Sequence, residues 1–474
     1  MINTLVELSL RYKLLTLVAF AVIAFLGWRA VNTVPIDAFP DLTPIQVNVY
    51  TESPGLAAED VEELLTFPVE SGMAGLSGVQ QIRSVSLFGL SYVSVYFDDD
   101  VDIYFARRLV MERLQEVGER IPEGYGTPEM GPNTSALGQV FWYTIERTDQ
   151  ALEAATSDMD LRTVQDWSVR LVLRTVPGVD DVMSWGGQER QYQVQIDPRQ
   201  LIAYDLDYRT VLEAIEANNG QVGGQYINLG PEQYLVRGLG LVKNTDDIGD
   251  IVLKAVDGVP VRIRDIAQIE EAPALRFGAV TRDGEEVVLG MALARIGENA
   301  KVVVDAVKEK IATASTILPQ TMQLRPVYDR TDLVDKAVDT AVTALLQGAI
   351  LVAIVLFLFL GELRSAAVVI AALPMAMLIA FIFMEQVGLS ANLMSLAGLA
   401  IGIGMVVDGA VVITENSFRI MAQRQAEGGE VNRVDAVLAA AREVANPIAF
   451  AILIIIVVFL PLFSLEGLEG KLFK

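Results

Sequence analysis

The chain has 474 residues, of which 52% are hydrophobic and 20% charged, and a formal net charge of -24. An acidic balance of this size excludes the basic face that nucleic-acid binding needs. With no Cys and no His, disulfides, thiolate catalysis, zinc fingers and imidazole relays are excluded too, leaving carboxylate, carbonyl, thioether, Lys and Tyr for metal or proton chemistry.

In "KLLTLVAFAVIAFLGWRA" residues 14–28 are apolar, with Arg11 and Lys13 before them and Arg29 after. Trp28 and Arg29 stand where a signal peptide would carry small residues, so the run reads as an uncleaved anchor. Basic residues on its short N-terminal side favour a cytoplasmic start. Residues 1–34 are thus expected to form an N-terminal transmembrane helix.

After Pro35 the pattern becomes water-soluble. "IQVNVYT" alternates like a strand, "GLAAEDVEELLTFPVESGM" has helical spacing, "IRSVSLFGLSYVSVYFD" reads as two strands around Gly89, and "VDIYFARRLVMERLQEVGERI" is helical. That β-α-β-β-α order predicts a split βαβ unit, a sheet with two helices on one face, over residues 35–135. A second set starts with the strand "QVFWYTIER", the helix "LRTVQDWSVRLVLRTV" and the strands "VDDVMSWGG" and "RQYQVQID". It resumes much later with "EEVVLGMALAR", "AKVVVDAVKEKIATA" and "QLRPVYD". The second unit is therefore expected over 136–181 and 274–330, interrupted by an insertion over 182–273. The insertion holds the helix "YRTVLEAIEANN", short strands in "IVLKA" and "PVRIRDI", and a Gly-rich stretch. In that stretch Gly223 and Gly224 predict a turn, because no P-loop Lys follows them.

Residues 331–474 return to apolar composition. Spans are predicted over 341–360, 366–384, 392–413 and 448–463, each of a length suited to lipid. A start inside the cell returns the 416–446 segment to the cytoplasm, and that segment carries Arg419, Arg424, Arg433 and Arg442. Its "AVLAAAREVAN" is expected as an interfacial helix, with Pro447 starting the next span. The chain stops at "EGLEGKLFK" without closing a further unit, and is expected to be a fragment.

The span "IGIGMVVDGAVVITEN" carries Asp408. An Asp at the centre of a membrane helix costs about 2.5–3.5 kcal/mol on the insertion scale, so some function or partner must compensate. Residues seven apart return nearly to one helix face, which puts Asp408 and Glu415 on a stripe with Ile401 and Met394, the two acids about 10 Å apart along the axis. Gly402, Gly404 and Gly409 make the helix fine-grained and allow a neighbour to approach closely. Low-dielectric surroundings favour a neutral carboxyl, so Asp408 is expected to load a proton from an acidic exterior and release it inside.

With these parts assembled, the chain resembles the N-terminal half of an inner-membrane pump subunit of the RND superfamily of efflux pumps. The resemblance rests on "VPIDAFPDL", "YDRTDLV" and "NLMSLAGLAIGIGMVVDGAVVITEN" and on the order of units. It implies an α-helical transmembrane bundle plus α+β periplasmic porter subdomains of ferredoxin-like type, with an inserted docking subdomain. A single Asp408 followed by Gly409 is similar to the heavy-metal efflux class, the CusA and CzcA type, whereas drug exporters carry two adjacent Asp residues. The resemblance implies Asp408 and Glu415 in proton translocation and no resident cofactor, the metal ion and the proton being cargo. It further implies a homotrimer in the bacterial inner membrane lipid, with a periplasmic adaptor and an outer-membrane channel as partners. Gly402 stands where some divalent-cation members have an Asp. Met394 matches a thioether position of copper and silver members, while Val406 and Ile413 replace Met there. The cation therefore stays open between monovalent and divalent, and a small-organic exporter or a membrane-anchored protein-export or assembly factor remain the rival readings.

Overall fold

The computed structural model describes residues 2–148, 156–238, 240–256, 258–276, 278–360, 363–427, 432–465 and 467–473. A short amphipathic helix, Ile2–Arg11, precedes the first long apolar helix, Lys13–Thr33. That helix stops at Val34, which adopts extended backbone as residues before a proline prefer.

The chain then builds β1 (Gln46–Glu52), β2 (Val79–Leu87), β3 (Leu90–Phe97) and the two-residue β4 (Glu129–Met130), hydrogen-bonded antiparallel in the order β2-β3-β1-β4. Burial alternates along β1, with Val47 and Val49 facing a core shared with Val93 and Val95 of β3. A helical segment over 58–73 and the helix Ile103–Gly118 close that core from one side. Asp102 caps the second helix by accepting from the Phe105 amide, and Ala106, Val110, Leu114 and Val117 form its buried stripe. Two-residue β4 carries no alternation to betray it and was not expected.

β5 (Gln139–Arg147) and β6 (Val179–Gly186) open the second sheet. Within the insertion β7 (Arg190–Ile196) pairs with β12 (Ala267–Pro273), β8 (Val222–Leu229) with β9 (Glu232–Gly238), and β10 (Val252–Val256) with β11 (Val259–Arg262). β13 (Val280–Arg282), β14 (Glu285–Ala294) and β15 (Met322–Asp329) complete the second sheet, where β14 lies between β5 and β6 and β15 flanks β5. Counting β5, β6, β14 and β15 as its four main strands, the order repeats that of the first sheet. A tight turn at Gly89 (φ 70) joins the second and third strands of the first sheet; in the second, the insertion occupies that position.

Two expectations inside the insertion change. Gly223 and Gly224 lie in β8 rather than in a turn, and the register shifts between Gly223 and Tyr226 while Gln225 takes a positive φ of 61. This is a bulge, which small residues permit inside a strand. Of "PVRIRDI" only the first three residues are strand, the end of β11 (Val259–Arg262); Ile263–Ile266 turns into a short helix whose Asp265 accepts from the Arg262 amide.

The first helical segment of each unit contains a π turn, Glu62–Thr66 and Gln165–Val169, and each turn delivers a buried polar side chain to the sheet. Thr66 hydrogen-bonds Ser86 and Ser91 at 2.8 Å, and Gln165 accepts from the Tyr143 hydroxyl at 3.0 Å and donates to Ser184 at 3.1 Å. Tyr143 is fully buried, and its ring lies over Gly290 so closely that a Cβ there would meet it at 2.2–2.5 Å.

Beyond β15 the chain is helical. By length and apolarity four helical stretches among the described residues qualify to cross a membrane: Lys13–Thr33, Arg330–Val355, Val369–Val387 and Arg433–Ser464. Their large apolar side chains are open, with Leu14 at 78%, Leu351 at 63% and Val458 at 67% exposure. In water such a surface is unfavourable; in lipid it is the expected one. The helix Leu393–Ala426, at 34 residues, is about 51 Å long at 1.5 Å per residue, longer than the ~30 Å hydrocarbon core. It continues well into the segment expected as a cytoplasmic return, of which residues 428–431 lie outside the described ones. Nor does Pro447 start a helix: it sits inside Arg433–Phe459, which runs unbroken from the expected interfacial part into the span. A proline inside a helix removes one backbone donor, and membrane helices tolerate this where neighbours hold both halves. Here Ala436, Ala440, Ala441 and Ala445 are buried before it, and Arg442 pairs with Glu7 of the N-terminal helix at 2.7 Å.

Membrane and outer parts meet at Arg330, the first residue of Arg330–Leu360. It is 5% exposed and donates Nη2 to both Asp37 carboxylate oxygens at 2.7 and 2.8 Å, and Nη1 to the Leu137 carbonyl. Beside it Asp329 accepts from the Thr331 amide and hydroxyl at 2.8 and 2.6 Å and pairs with Lys308. Burial works to raise the Asp329 proton affinity, but the Lys308 and Thr331 bonds outweigh it and hold the carboxyl below its ordinary range.

A carboxyl with a depressed folded value contributes stability that is fully present above its ordinary value and is lost as pH falls from there through the folded one. Asp329→Asn should therefore lower the unfolding temperature at neutral pH, and the gap to the parent should close below pH 3.8, the ordinary value. Gly290→Ala should drive a methyl into the Tyr143 ring and destabilise the second unit by about 1–3 kcal/mol, read by thermal unfolding followed by circular dichroism.

Candidate functional site

Asn392 starts the helix Leu393–Ala426: its side chain accepts from the Met394 and Ser395 amides at 2.9 and 3.0 Å, and the Ser395 hydroxyl accepts from its amide at 2.9 Å. That reciprocal cap satisfies orphan donors at a buried helix end. Asp408 then lies 16 residues further on, about 24 Å along the axis, and Glu415 about 10 Å beyond it.

The predicted stripe exists as one face. Met394 (52%) and Ile401 (66%) are exposed, and so are Asp408 and Glu415. Among the described residues neither carboxylate has a hydrogen-bond or ion-pair partner. Among the described residues, nothing lies within 4 Å of a Cβ built on Gly402 or Gly404, whereas one on Gly409 would meet Ile448 at 3.3 Å. Of the three glycines, Gly409 is the one that packs against a described side chain of another helix. Asp408 thus reaches an uncovered, small-residue face instead of being enclosed by this chain's own helices.

Toward its C-terminal end the same helix is firmly held. Asn416 is buried and donates to the Ala440 carbonyl at 3.0 Å and to Glu443 at 3.1 Å, while Arg419 donates to Asn416 Oδ1 at 2.8 Å and to Glu443 at 3.0 Å. Sequence reasoning weighed Glu415 and passed over Asn416; the signal was an amide and an Arg three residues apart at the expected membrane boundary. It also passed over Asp37 and Arg330, although two of the three stretches that carry the resemblance each contain one of these opposite charges, beside the first two spans.

Met394 lines a cavity of about 1350 Å³ between the first sheet and the outer ends of the apolar helices. Met384 and Phe383 share its apolar wall, Asp98, Asp99 and Asp100 stand at its rim, and Lys471 pairs with Asp99 at 2.7 Å. Among the described residues no three carboxylates converge as a metal site. Met394 and Met384 supply soft thioether donors and the rim supplies hard oxygens, so the cavity offers both kinds of ligand without a formed cage.

A sequence model of the AcrB/AcrD/AcrF family matches residues 5–474. The chain is 44% identical over 480 residues to the cation efflux system protein CzcA of Alcaligenes sp. (strain CT14), covering 100% of this chain and 45% of that protein. It is 38% identical over 481 residues to the cation efflux system protein CusA of Escherichia coli (strain K12), again covering 100% and 45%. An X-ray crystal structure of a heavy metal efflux pump superposes with a TM-score of 0.86 at 33% identity, over 99% of this chain and 45% of that one. The chain spans about half the length of the curated relatives it matches. Matched along almost all of its own length in both sequence and structure, the chain belongs to the AcrB/AcrD/AcrF family.

Proposed function

We propose that this chain is part of a proton-driven exporter of metal cations, a secondary transporter of the bacterial inner membrane whose two sheets and insertion lie in the periplasm. The observation that carries the reading is Asp408: an unpartnered carboxylate on an uncovered face of a helix of membrane-crossing length. Hydrocarbon does not tolerate that arrangement, so a covering element and a protonation cycle supply the missing compensation. Covering Asp408 favours its neutral form and wetting it favours the charged one, so access from alternate sides moves a proton. Gly402 and Gly404 leave room for the cover to approach, Gly409 fixes the distance to the neighbouring helix, and Glu415 is a second station toward the cytoplasm. Names of relatives, a cation efflux system protein among them, support a metal cation as cargo. Met394 is the thioether best placed to meet it at the outer cavity.

The first porter subdomain covers 35–135; the second, expected over 136–181 and 274–330, extends through the end of β6 at Gly186, so that the docking subdomain expected over 182–273 begins after it. The last supports assembly as a homotrimer. β8 and β9 form a two-stranded hairpin that exposes Tyr226 (59%), Ile227 (54%), Leu229 (63%) and Leu235 (74%). An isolated hairpin with apolar faces needs a partner surface, and a second copy of the chain supplies one. A periplasmic adaptor and an outer-membrane channel complete the path across the envelope.

In vesicles containing the full-length protein and an internal pH-sensitive dye, Zn²⁺ or Ag⁺ should stimulate proton movement. Asp408→Asn should reduce that stimulation to the level of protein-free vesicles; full activity in this variant, or stimulation by organic cations and not by metals, would overturn the reading. Met394→Leu keeps the volume and removes the thioether, so Ag⁺ flux should fall while Zn²⁺ flux stays close to the parent.

A further inference from the structure

Asp37 and Arg330 join four chain segments that are far apart in sequence. Arg330 opens Arg330–Leu360 directly after β15, and its guanidinium holds Asp37 of the linker after the first apolar helix and the Leu137 carbonyl of the linker between the two sheets. The fourth segment is held through backbone. The Asp37 amide donates to the Ala391 carbonyl at 3.1 Å, the Ala391 amide to the Pro35 carbonyl at 2.8 Å, and the Leu393 amide to the Ala38 carbonyl at 3.3 Å. Ala391 and Asn392 are the residues from which the Asp408 helix starts.

A rigid helix passes an axial shift along its length. Displacement caused at Asp408 therefore reaches Ala391, and the short parallel bridge between Ile36 and Ala391 passes it to Asp37. From there it has one side-chain route outward, the forked ion pair to Arg330, which sends it both to the end of β15 and to the joint at Leu137. That joint is tight: the Gly138 amide donates to the Ser135 carbonyl at 2.9 Å and the Ala294 amide to the Gly138 carbonyl at 2.7 Å, so Leu137 cannot move without β5 and β14. A forked Arg–carboxylate pair fixes orientation as well as distance, which a Lys pair would not.

We infer that Asp37 and Arg330 are positioning residues that transmit the state of Asp408 to the two outer sheets, so that cation movement and proton movement stay coupled. The inference rests on the proton role proposed for Asp408. It makes this pair a coupling strut, and it predicts uncoupling, not simple loss of function, when the pair is altered.

Hydrogen exchange on the full-length protein tests it without any cargo. Asp408→Asn, which fixes the neutral state, should change the protection of amides in 134–138 and 322–331 by about fivefold or more. The same change introduced into Asp37→Asn or Arg330→Lys should leave those amides unmoved, and the reversed pair Asp37→Arg with Arg330→Asp should restore part of the response. Arg330→Lys keeps the charge and serves if Asp37→Asn does not fold. In vesicles the single variants should retain proton movement while Zn²⁺ flux falls by about fivefold or more. Persistence of the exchange response in both single variants, or its absence in the parent, overturns the inference. Absence of Zn²⁺-stimulated proton movement in the parent overturns the transport reading, and the exchange result still decides the strut.

Discussion

The guanidinium of Arg330 holds the joint between the apolar helices and the two sheet units. The chain passes from the apolar helices to the sheet units after Val34 and returns at Arg330, and this side chain and its partner Asp37 fix the geometry at both passages. A buried ion pair is weak evidence for stability, since desolvating both charges consumes most of what their attraction returns. What a forked pair with a third bond to a carbonyl provides is a unique arrangement. Replacing it with apolar residues could keep the parts folded and still let them rotate against one another. The surrounding Asp329, Thr331 and Lys308 bonds have the same character: they set where the helix begins and which way it leaves the sheet.

The two outer units solve one folding problem twice. Each lays two helices on a four-stranded antiparallel sheet with the same strand order, and each interrupts its first helix with a π turn that turns a polar side chain into the core. Where they differ is the connection between second and third strands, a glycine turn in one and the whole insertion in the other. A hairpin turn is the one place in this topology where an added chain leaves both the sheet register and the helical face untouched, because its ends already lie side by side at the surface. The insertion can therefore carry an exposed apolar hairpin without disturbing the unit that holds it.

The Asp408 helix is held along one stretch and open along another. Toward its C-terminal end Asn416 and Arg419 tie it to Glu443 of the neighbouring helix, and Gly409 packs close to Ile448. Around Asp408 it presents a carboxylate and small residues to open space. Such a helix is anchored near its end and adjustable around Asp408, the condition under which a change of charge at one residue can shift packing without unfolding anything. At its outer end the same helix borders the cavity with thioether and carboxylate donors, so the proposed cation and proton steps would share one rigid element.

Much of this was legible from residue order. Alternation in "IQVNVYT" and "QVFWYTIER", helical spacing in "AKVVVDAVKEKIATA" and the apolar runs specify strands, helices and spans because local periodicity and the solvent each face meets are properties of short segments. Asp408 stood out for the same reason: a charge in an apolar run is anomalous without reference to anything distant. Short β4, the bulge at Gln225, the unbroken helix through Pro447 and the opening turn at Ile263 depended on contacts with segments elsewhere, which override weak local preference. The pairing of Asp37 with Arg330, 293 residues apart, and the exposure of one face of the Asp408 helix were decided by tertiary structure alone, because only the folded chain determines which distant groups come within bonding distance and which side of a helix is left uncovered.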